Sequence, residues 1–85
     1  MNSRALLIRL ARGDVANVRF SDLHRLLGDL GFERVRVSGS HQTFSHPSIS
    51  ELINLQEVKG QAKPYQLRQL LRLIERYDLR LEDRG

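Results

Sequence analysis

Apolar side chains recur at helical spacing in the first third of the chain, the pattern of a helix with one buried face. The first such stretch predicts a short helix over residues 3–12, with Ser3 as its N-cap and Gly13 just past its end. The next predicts a helix that begins at Ser21 and ends at Gly31. The periodic leucines of these two helices are Leu6, Leu7, Leu10, Leu23, Leu26, Leu27 and Leu30.

A further helix is predicted from Pro64 to about Asp78. Proline suits the first helical position because its missing N–H has no partner there. The buried face of this helix is predicted to comprise Leu67, Leu70, Leu71, Ile74 and Tyr77.

Between these helices the pattern changes to the period-2 alternation of strands. Strands are predicted over residues 32–38, 41–46 and 51–55, with a turn over 38–40 and a polar loop over 56–63. Val35 and Val37 alternate with polar neighbours, which predicts that the two valines occupy the half-buried face of the first strand.

This order of elements predicts an α+β fold, a two-layer α-β-β-β-α sandwich with a three-stranded antiparallel sheet and an extra short N-terminal helix. The helices are expected to cover one face of the sheet and to leave the other open to solvent. The expected organisation is an N-terminal helix and connector over 1–20, one domain over 21–79, and a tail over 80–85.

Composition narrows the function classes. The chain of 85 residues has no cysteine, which excludes disulfides, thiolate metal sites and cysteine nucleophiles. No apolar run approaches the ~20 residues of a membrane-spanning helix, and the arginine-bearing N-terminus does not read as a secretory signal, so the cytoplasm is the expected location. The net charge is +4, and all basic residues except Lys59 and Lys63 are arginines. An arginine-rich surface is typical of nucleic-acid binding and equally of an arginine-rich proteome.

The histidine with the most suggestive position is His41, directly after the Ser38-Gly39-Ser40 turn. At such a corner a side chain is held by the strand backbone and still faces solvent, which suits proton transfer. His46 is an odd number of residues away, so an unbroken strand directs the two side chains to opposite faces. We therefore expect no metal site and no cofactor here, and we expect His24 to be a plain surface residue.

An arginine stripe follows the last predicted helix. Its members are Arg68, Arg72, Arg76 and Arg80, at i, i+4 spacing. Such a stripe is most often solvated surface, and otherwise it grips phosphate or docks an acidic protein.

Together these residues resemble the HicA toxins of bacterial type II toxin–antitoxin systems. The resemblance is carried by Gly31-Phe32, Arg36, Gly39-Ser40-His41, Phe44 and Pro47, and covers roughly residues 21–79. It implies a fold similar to the double-stranded RNA-binding domain, ribosome-independent cleavage of mRNA, and neutralisation by a HicB-like antitoxin. The chain departs from the family in two places: residues 55–60 replace a Pro-x-His-like segment, and the N-terminus is extended.

By position, the catalytic histidine implied by the resemblance is His41. A metal-free ribonuclease needs a proton acceptor, a proton donor and charge stabilisation, because RNA supplies the 2′-OH nucleophile. Arg36, Lys59 and Lys63 are the candidates for RNA contact and charge stabilisation, and Ser40 for positioning phosphate.

The arginines of the stripe, Arg68, Arg72 and Arg76, are assigned to antitoxin docking in preference to RNA binding. Two alternatives to the ribonuclease stay open: an RNA-binding module without catalysis, and a protein-interaction subunit that docks an acidic partner through this stripe.

Overall fold

The computed structural model describes residues 1–81 and confirms the predicted α+β class. In chain order the elements are α1 (Ser3–Ala11), α2 (Phe20–Asp29), β1 (Glu33–Ser38), β2 (His41–His46), β3 (Ile49–Val58), β4 (Gln61–Ala62) and α3 (Pro64–Arg76). The last residues of the predicted tail, 82–85, lie outside the described residues.

The sheet has four antiparallel strands in the order β1-β2-β3-β4. The loop predicted over 56–63 is wrong, since β3 continues to Val58 and the chain then turns back into the short strand β4. Lys59 and Gly60 form this turn with φ values of 52° and 76°. Two successive positive φ angles are typical of the type I′ turn, whose twist matches that of the flanking strands.

The prediction for Val35 and Val37 is also wrong. The two side chains are 52% and 53% exposed, and every other residue of β1 is exposed too. β1 is an outer strand of the sheet, and its pairing with β2 is shifted by a bulge between Arg34 and Arg36. The alternation therefore identified a strand correctly without identifying a buried face, because every residue of this outer strand is exposed to solvent.

The hydrophobic core lies on one side of the sheet, where all three helices contribute to it. The strands supply Phe44, Ile53 and Leu55, and α2 supplies four leucine or phenylalanine side chains. Leu67 and Leu70 come from α3, and Leu6 and Leu10 from α1. The opposite side of β2 and β3 carries no helix over His41 and Asn54, which are exposed.

The helix ends differ from the prediction in detail. The N-cap of α1 is Asn2, whose side chain accepts from the Ala5 N–H, while Ser3 is buried and donates to Asp29. α2 begins at Phe20, before Ser21, and its first N–H donates to the Gly60 carbonyl instead of to a capping side chain. Pro64 does begin α3, as predicted, but the helix ends at Arg76, two residues before Asp78.

Within residues 1–81, no helix is both long enough and apolar enough to cross a membrane.

Candidate active site

His41 is the first residue of β2 and directly follows a two-residue hairpin turn. Ser38 and His41 face each other across the β1–β2 pair, and Gly39 and Ser40 connect them. The φ of Gly39 is +59°, a value that favours glycine and is typical of the first central position of a type II′ turn. The turn fixes His41 at the end of the sheet, with its side chain exposed.

A shallow pocket surrounds this histidine on the open face of the sheet. It has a volume of about 320 Å³ and is lined by Arg36, Ser38, His41, Thr43 and Asn54. Thr43 pairs with Arg36 on one side and with Asn54 on the other, so these three form a row across three strands. Ser38 and His41 form the adjacent row nearer the turn. The pocket thus combines an imidazole, a guanidinium, two hydroxyls and an amide.

The end of the sheet that carries His41 is held by further hydrogen bonds. The Glu57 N–H donates to the Ser40 carbonyl over 2.9 Å, and the Gln56 side-chain amide donates to the Ser40 hydroxyl over 3.2 Å. On the other face, Gln42 is buried and accepts from Arg34 over 3.3 Å. These bonds join β1, β2 and β3 next to His41.

The other two histidines do not enter this pocket. His46 Nε2 lies 2.9 Å from the Leu30 carbonyl, and His46 Nδ1 accepts from the Ser48 N–H over 3.0 Å. The two bonds occupy both ring nitrogens and hold the ring edge-on to Phe32. His24 is exposed on α2, with its ring 5.7 Å from that of Phe44.

Of the other residues proposed for RNA contact, only Arg36 lines the pocket with His41. Ser40 is next to His41 in the turn, and its hydroxyl accepts from Gln56. Lys59 is exposed in the β3–β4 turn, which lies at the same end of the sheet as the β1–β2 turn. Lys63 precedes α3, with its ammonium 5.9 Å from the centre of the Tyr65 ring. Neither lysine lines the pocket.

The four arginines of the stripe lie in different surroundings in the structure. Arg72 and Arg76 line a groove between α3 and β3, whereas Arg68 does not line it. Arg80 follows the end of α3 and pairs with Asp78 over 3.1 Å, with both side chains largely exposed.

Sequence reasoning missed three lining residues, Ser38, Thr43 and Asn54. For Thr43 the signal was available, because it lies two residues from His41 on a predicted strand and so shares its face. Asn54 interrupts the apolar run of β3 between Ile53 and Leu55, which marks it as a residue of the solvent face. Its place beside Thr43 depends on the strand register, which composition alone does not reveal.

A comparison with known protein families gives a match over most of the chain. Residues 20–75, more than half of the chain, match the family model described as the HicA toxin of bacterial toxin-antitoxin. The chain belongs to the HicA toxin family. The match confirms the resemblance inferred from the sequence. A member of this family is the toxin component of a toxin–antitoxin system. It has no significant match among curated proteins or among solved structures, so the likeness to double-stranded RNA-binding domains stays a prediction.

The matched segment of this HicA-family chain begins with α2 and contains the whole His41 pocket. α1 and the connector precede it. Within residues 1–81, no three histidine, aspartate or glutamate side chains come close enough together to hold a metal ion.

Proposed function

We propose that this HicA-family toxin is an endoribonuclease that cleaves mRNA with His41 as its proton-transfer group. The observation that carries the proposal is that His41 and Arg36, on different strands, line one pocket on the open face of the sheet. An exposed imidazole beside a guanidinium can act on a phosphodiester that approaches from solvent. Membership in a toxin family supports an activity directed against the cell's own macromolecules.

The proposed reaction uses the nucleophile that RNA itself provides. The ribose 2′-oxygen attacks the adjacent phosphorus, the bond to the 5′-oxygen of the next nucleotide breaks, and a 2′,3′-cyclic phosphate forms. One proton leaves the 2′-OH and one is delivered to the departing 5′-oxygen. A histidine can perform either transfer near neutral pH, and a positioned acid or base contributes typically 10²–10⁴-fold to the rate.

Arg36 is proposed to stabilise the negative charge that builds up on the phosphoryl oxygens. A guanidinium presents several N–H donors in a planar fork that matches two oxygens at once. Asn54 continues the row from Arg36 and offers an amide to the same phosphate, and Thr43, which is buried between them, lines the pocket. The second proton-transfer role falls to a water molecule, because His41 is the single imidazole of the pocket.

Ser40, Lys59 and Lys63 are proposed to bind RNA beyond the reacting phosphate. Ser40 adjoins His41 and offers its hydroxyl, and Lys59 projects from the neighbouring turn at the same end of the sheet. Lys63 lies beside the short strand β4. Phosphate contacts of this kind position the nucleic acid without reading its sequence.

The partner of the toxin is proposed to be a HicB-like antitoxin. Among the three arginines assigned to antitoxin docking, Arg68 is exposed on α3 away from the groove that Arg72 and Arg76 line. Its guanidinium is therefore available to an acidic surface that approaches α3.

The decisive experiment compares His41→Ala with His24→Ala on a labelled mRNA. We expect His41→Ala to lower the cleavage rate at least about 100-fold, with the folded circular dichroism spectrum retained because the side chain is exposed. His24→Ala removes a histidine outside the pocket and is expected to cleave near the wild-type rate. A folded His41→Ala variant with wild-type activity would exclude His41 from the mechanism.

Two further arms test the chemistry itself. Cleavage is expected to persist in EDTA, and a 2′-O-methylated substrate is expected to resist cleavage because its nucleophile is blocked. Activity that is lost in EDTA and restored by a divalent ion would replace proton transfer by metal catalysis. Cleavage of the methylated RNA would contradict attack by the 2′-oxygen.

A further inference from the structure

A groove of about 400 Å³ runs between β3 and α3, next to the His41 pocket. Asn54 lines both, so the groove and the pocket meet at this residue. The other lining residues include Leu52, Gln69, Arg72 and Arg76. The His41 pocket therefore continues past Asn54 toward the cationic face of α3.

The groove exists because β3 is much longer than its outer neighbour. β4 pairs only with Glu57 and Val58 at the end of β3, and α3 runs past the remaining edge. Gln66 near the start of α3 accepts from the Gln56 N–H over 2.8 Å. At the far end, the Tyr77 hydroxyl donates to Glu51 over 3.2 Å. These two bonds fix α3 beside β3, and the groove lies between them.

The charge of the groove comes from Arg72 and Arg76, one helical turn apart on the same face of α3. Both are exposed, and neither forms an ion pair with an acidic side chain within residues 1–81. The guanidinium of Arg76 lies 5.7 Å from the centre of the Tyr77 ring, which limits its range of positions. The single lining carboxylate, Glu51, is the one that accepts from Tyr77. The wall that α3 forms is thus cationic.

We infer that this groove holds the backbone of a single RNA strand on its way to or from the cleaved bond, so that Arg72 and Arg76 contact RNA instead of the antitoxin and only Arg68 keeps the expected docking role. The inference rests on the proposed ribonuclease function and extends it to a substrate-binding path. Arg36, Thr43 and Asn54 cross three adjacent strands, a span of about 10 Å between the outer Cα atoms. A strand whose reacting phosphate lies at His41 can follow this row and bring its next phosphates to Arg72 and Arg76.

An unpaired strand suits the groove better than a duplex. Leu52 lies two residues from Asn54 on the same face of β3 and is 61% exposed. Such an apolar side chain offers a surface to the face of an unstacked base, while the arginines take the phosphates. Proteins that bind single strands combine a cationic track with apolar or aromatic platforms in this way.

The test measures RNA binding and cleavage by the double variant Arg72→Gln/Arg76→Gln. The matched control is Arg4→Gln/Arg25→Gln, which removes the same charge from exposed positions on α1 and α2. Binding is measured with a 2′-O-methylated single strand, which cannot be cleaved, over a series of salt concentrations. Cleavage is measured with a long single-stranded RNA and with a dinucleotide too short to reach the groove.

For the double variant we expect roughly tenfold weaker binding of the long strand at low salt. Loss of two phosphate contacts should also reduce the slope of log affinity against log salt by about 1.4, at about 0.7 for each contact with a single strand. Cleavage of the dinucleotide should equal that of the wild type, and the control should retain both properties.

The outcomes separate the groove from the catalytic proposal. If the wild type cleaves RNA and the double variant binds the long strand like the control, the groove is not an RNA path. The groove is likewise not an RNA path if the double variant loses its affinity for the antitoxin and keeps its affinity for RNA. If the wild type binds RNA through the groove without cleaving it, the groove stands and the ribonuclease proposal falls. A wild type that binds no RNA overturns both.

Discussion

At the scale of single residues, three histidines in one small domain have three different environments. His46 has both ring nitrogens hydrogen-bonded to backbone groups, and His24 lies on α2 against Phe44. His41 alone is exposed beside an arginine in a pocket. The sequence indicated the position of His41, because the turn before it is visible there, and the catalytic role of His41 stays a prediction. The role of His46 depends on Leu30 and Ser48, whose approach only the folded chain reveals.

Gly31 is required at its position by both conformation and space. Its φ is +100°, and a Cβ atom there would lie 2.9 Å from His46 Nε2. We expect Gly31→Ala to lower the free energy of unfolding by about 2–4 kcal/mol, from the strained backbone and from displacement of the His46 ring from the Leu30 carbonyl. Urea denaturation measures this loss. Gly28→Ala is the control, since nothing lies within 4 Å of its added methyl group, and equal stability of the two variants would contradict the argument.

Arg36 and Arg34 belong to the same strand and serve different faces of the sheet. Arg36 lines the His41 pocket, whereas Arg34 donates to Gln42 on the helix side. We expect Arg36→Gln to lower kcat for RNA cleavage about 10²–10³-fold, because a donor aimed at transition-state charge is lost. Arg34→Gln should leave kcat within about threefold. Steady-state kinetics of both variants measures the two effects. Equal losses of kcat in the two variants, or a change of KM alone in Arg36→Gln, would refute the assignment of Arg36.

At the scale of elements, the alternation of residue types located the first hairpin to within one residue. β2 has the predicted bounds, and the turn has the predicted glycine. The sequence pattern did not predict the full length of β3, because Gln56 and Glu57 are polar. It did not predict β4 either, because the pairing of Val58 with Gln61 depends on the turn between them. The groove beside β3 was not predicted either, because it depends on how α3 packs against the sheet. Nothing in the periodicity of α3 indicates which strand edge its arginines approach.

The β3–β4 turn combines a structural cost with a proposed RNA contact at one residue. Lys59 has a φ of 52°, a left-handed conformation that asparagine adopts more readily than lysine. We expect Lys59→Asn to raise the free energy of unfolding by roughly 0.5 kcal/mol and at the same time to weaken RNA binding. Thermal denaturation and salt-dependent binding measure the two effects. Lys59→Arg is the control, which keeps the charge, and RNA affinity unchanged in Lys59→Asn would remove Lys59 from the interface.

At the scale of the whole molecule, the segment before the family match belongs to the same core as the rest. Val15 and Val18 in the connector are buried in the cluster that contains Phe44. The connector is also fastened to the sheet, since the Ala62 N–H donates to the Val18 carbonyl over 2.9 Å. The sequence predicted α1 and its leucines, but it left open what the leucines cover. In the structure, Leu6 and Leu10 of α1 cover the core that α2 and α3 also form.

Because α1 shares this core, a cavity in it should destabilise the catalytic part of the toxin. Leu10 is fully buried, and Ile8 on the same helix is 48% exposed. We expect Leu10→Ala to lower the free energy of unfolding by about 2–5 kcal/mol, a large share of the 5–15 kcal/mol of a typical domain. Ile8→Ala, the control, should cost less than about 1 kcal/mol.

The measurement that locates the effect is the fluorescence of Tyr65 and Tyr77, which report on α3 at the other end of the chain. Urea denaturation followed by this signal and by far-ultraviolet circular dichroism should give one shared midpoint, lowered in Leu10→Ala by both probes. One cooperative core requires this, because residues that share a cluster unfold together. If the tyrosine midpoint stays at the wild-type value while the helical signal falls early, α1 unfolds separately, and the domain that supports His41 is stable without it.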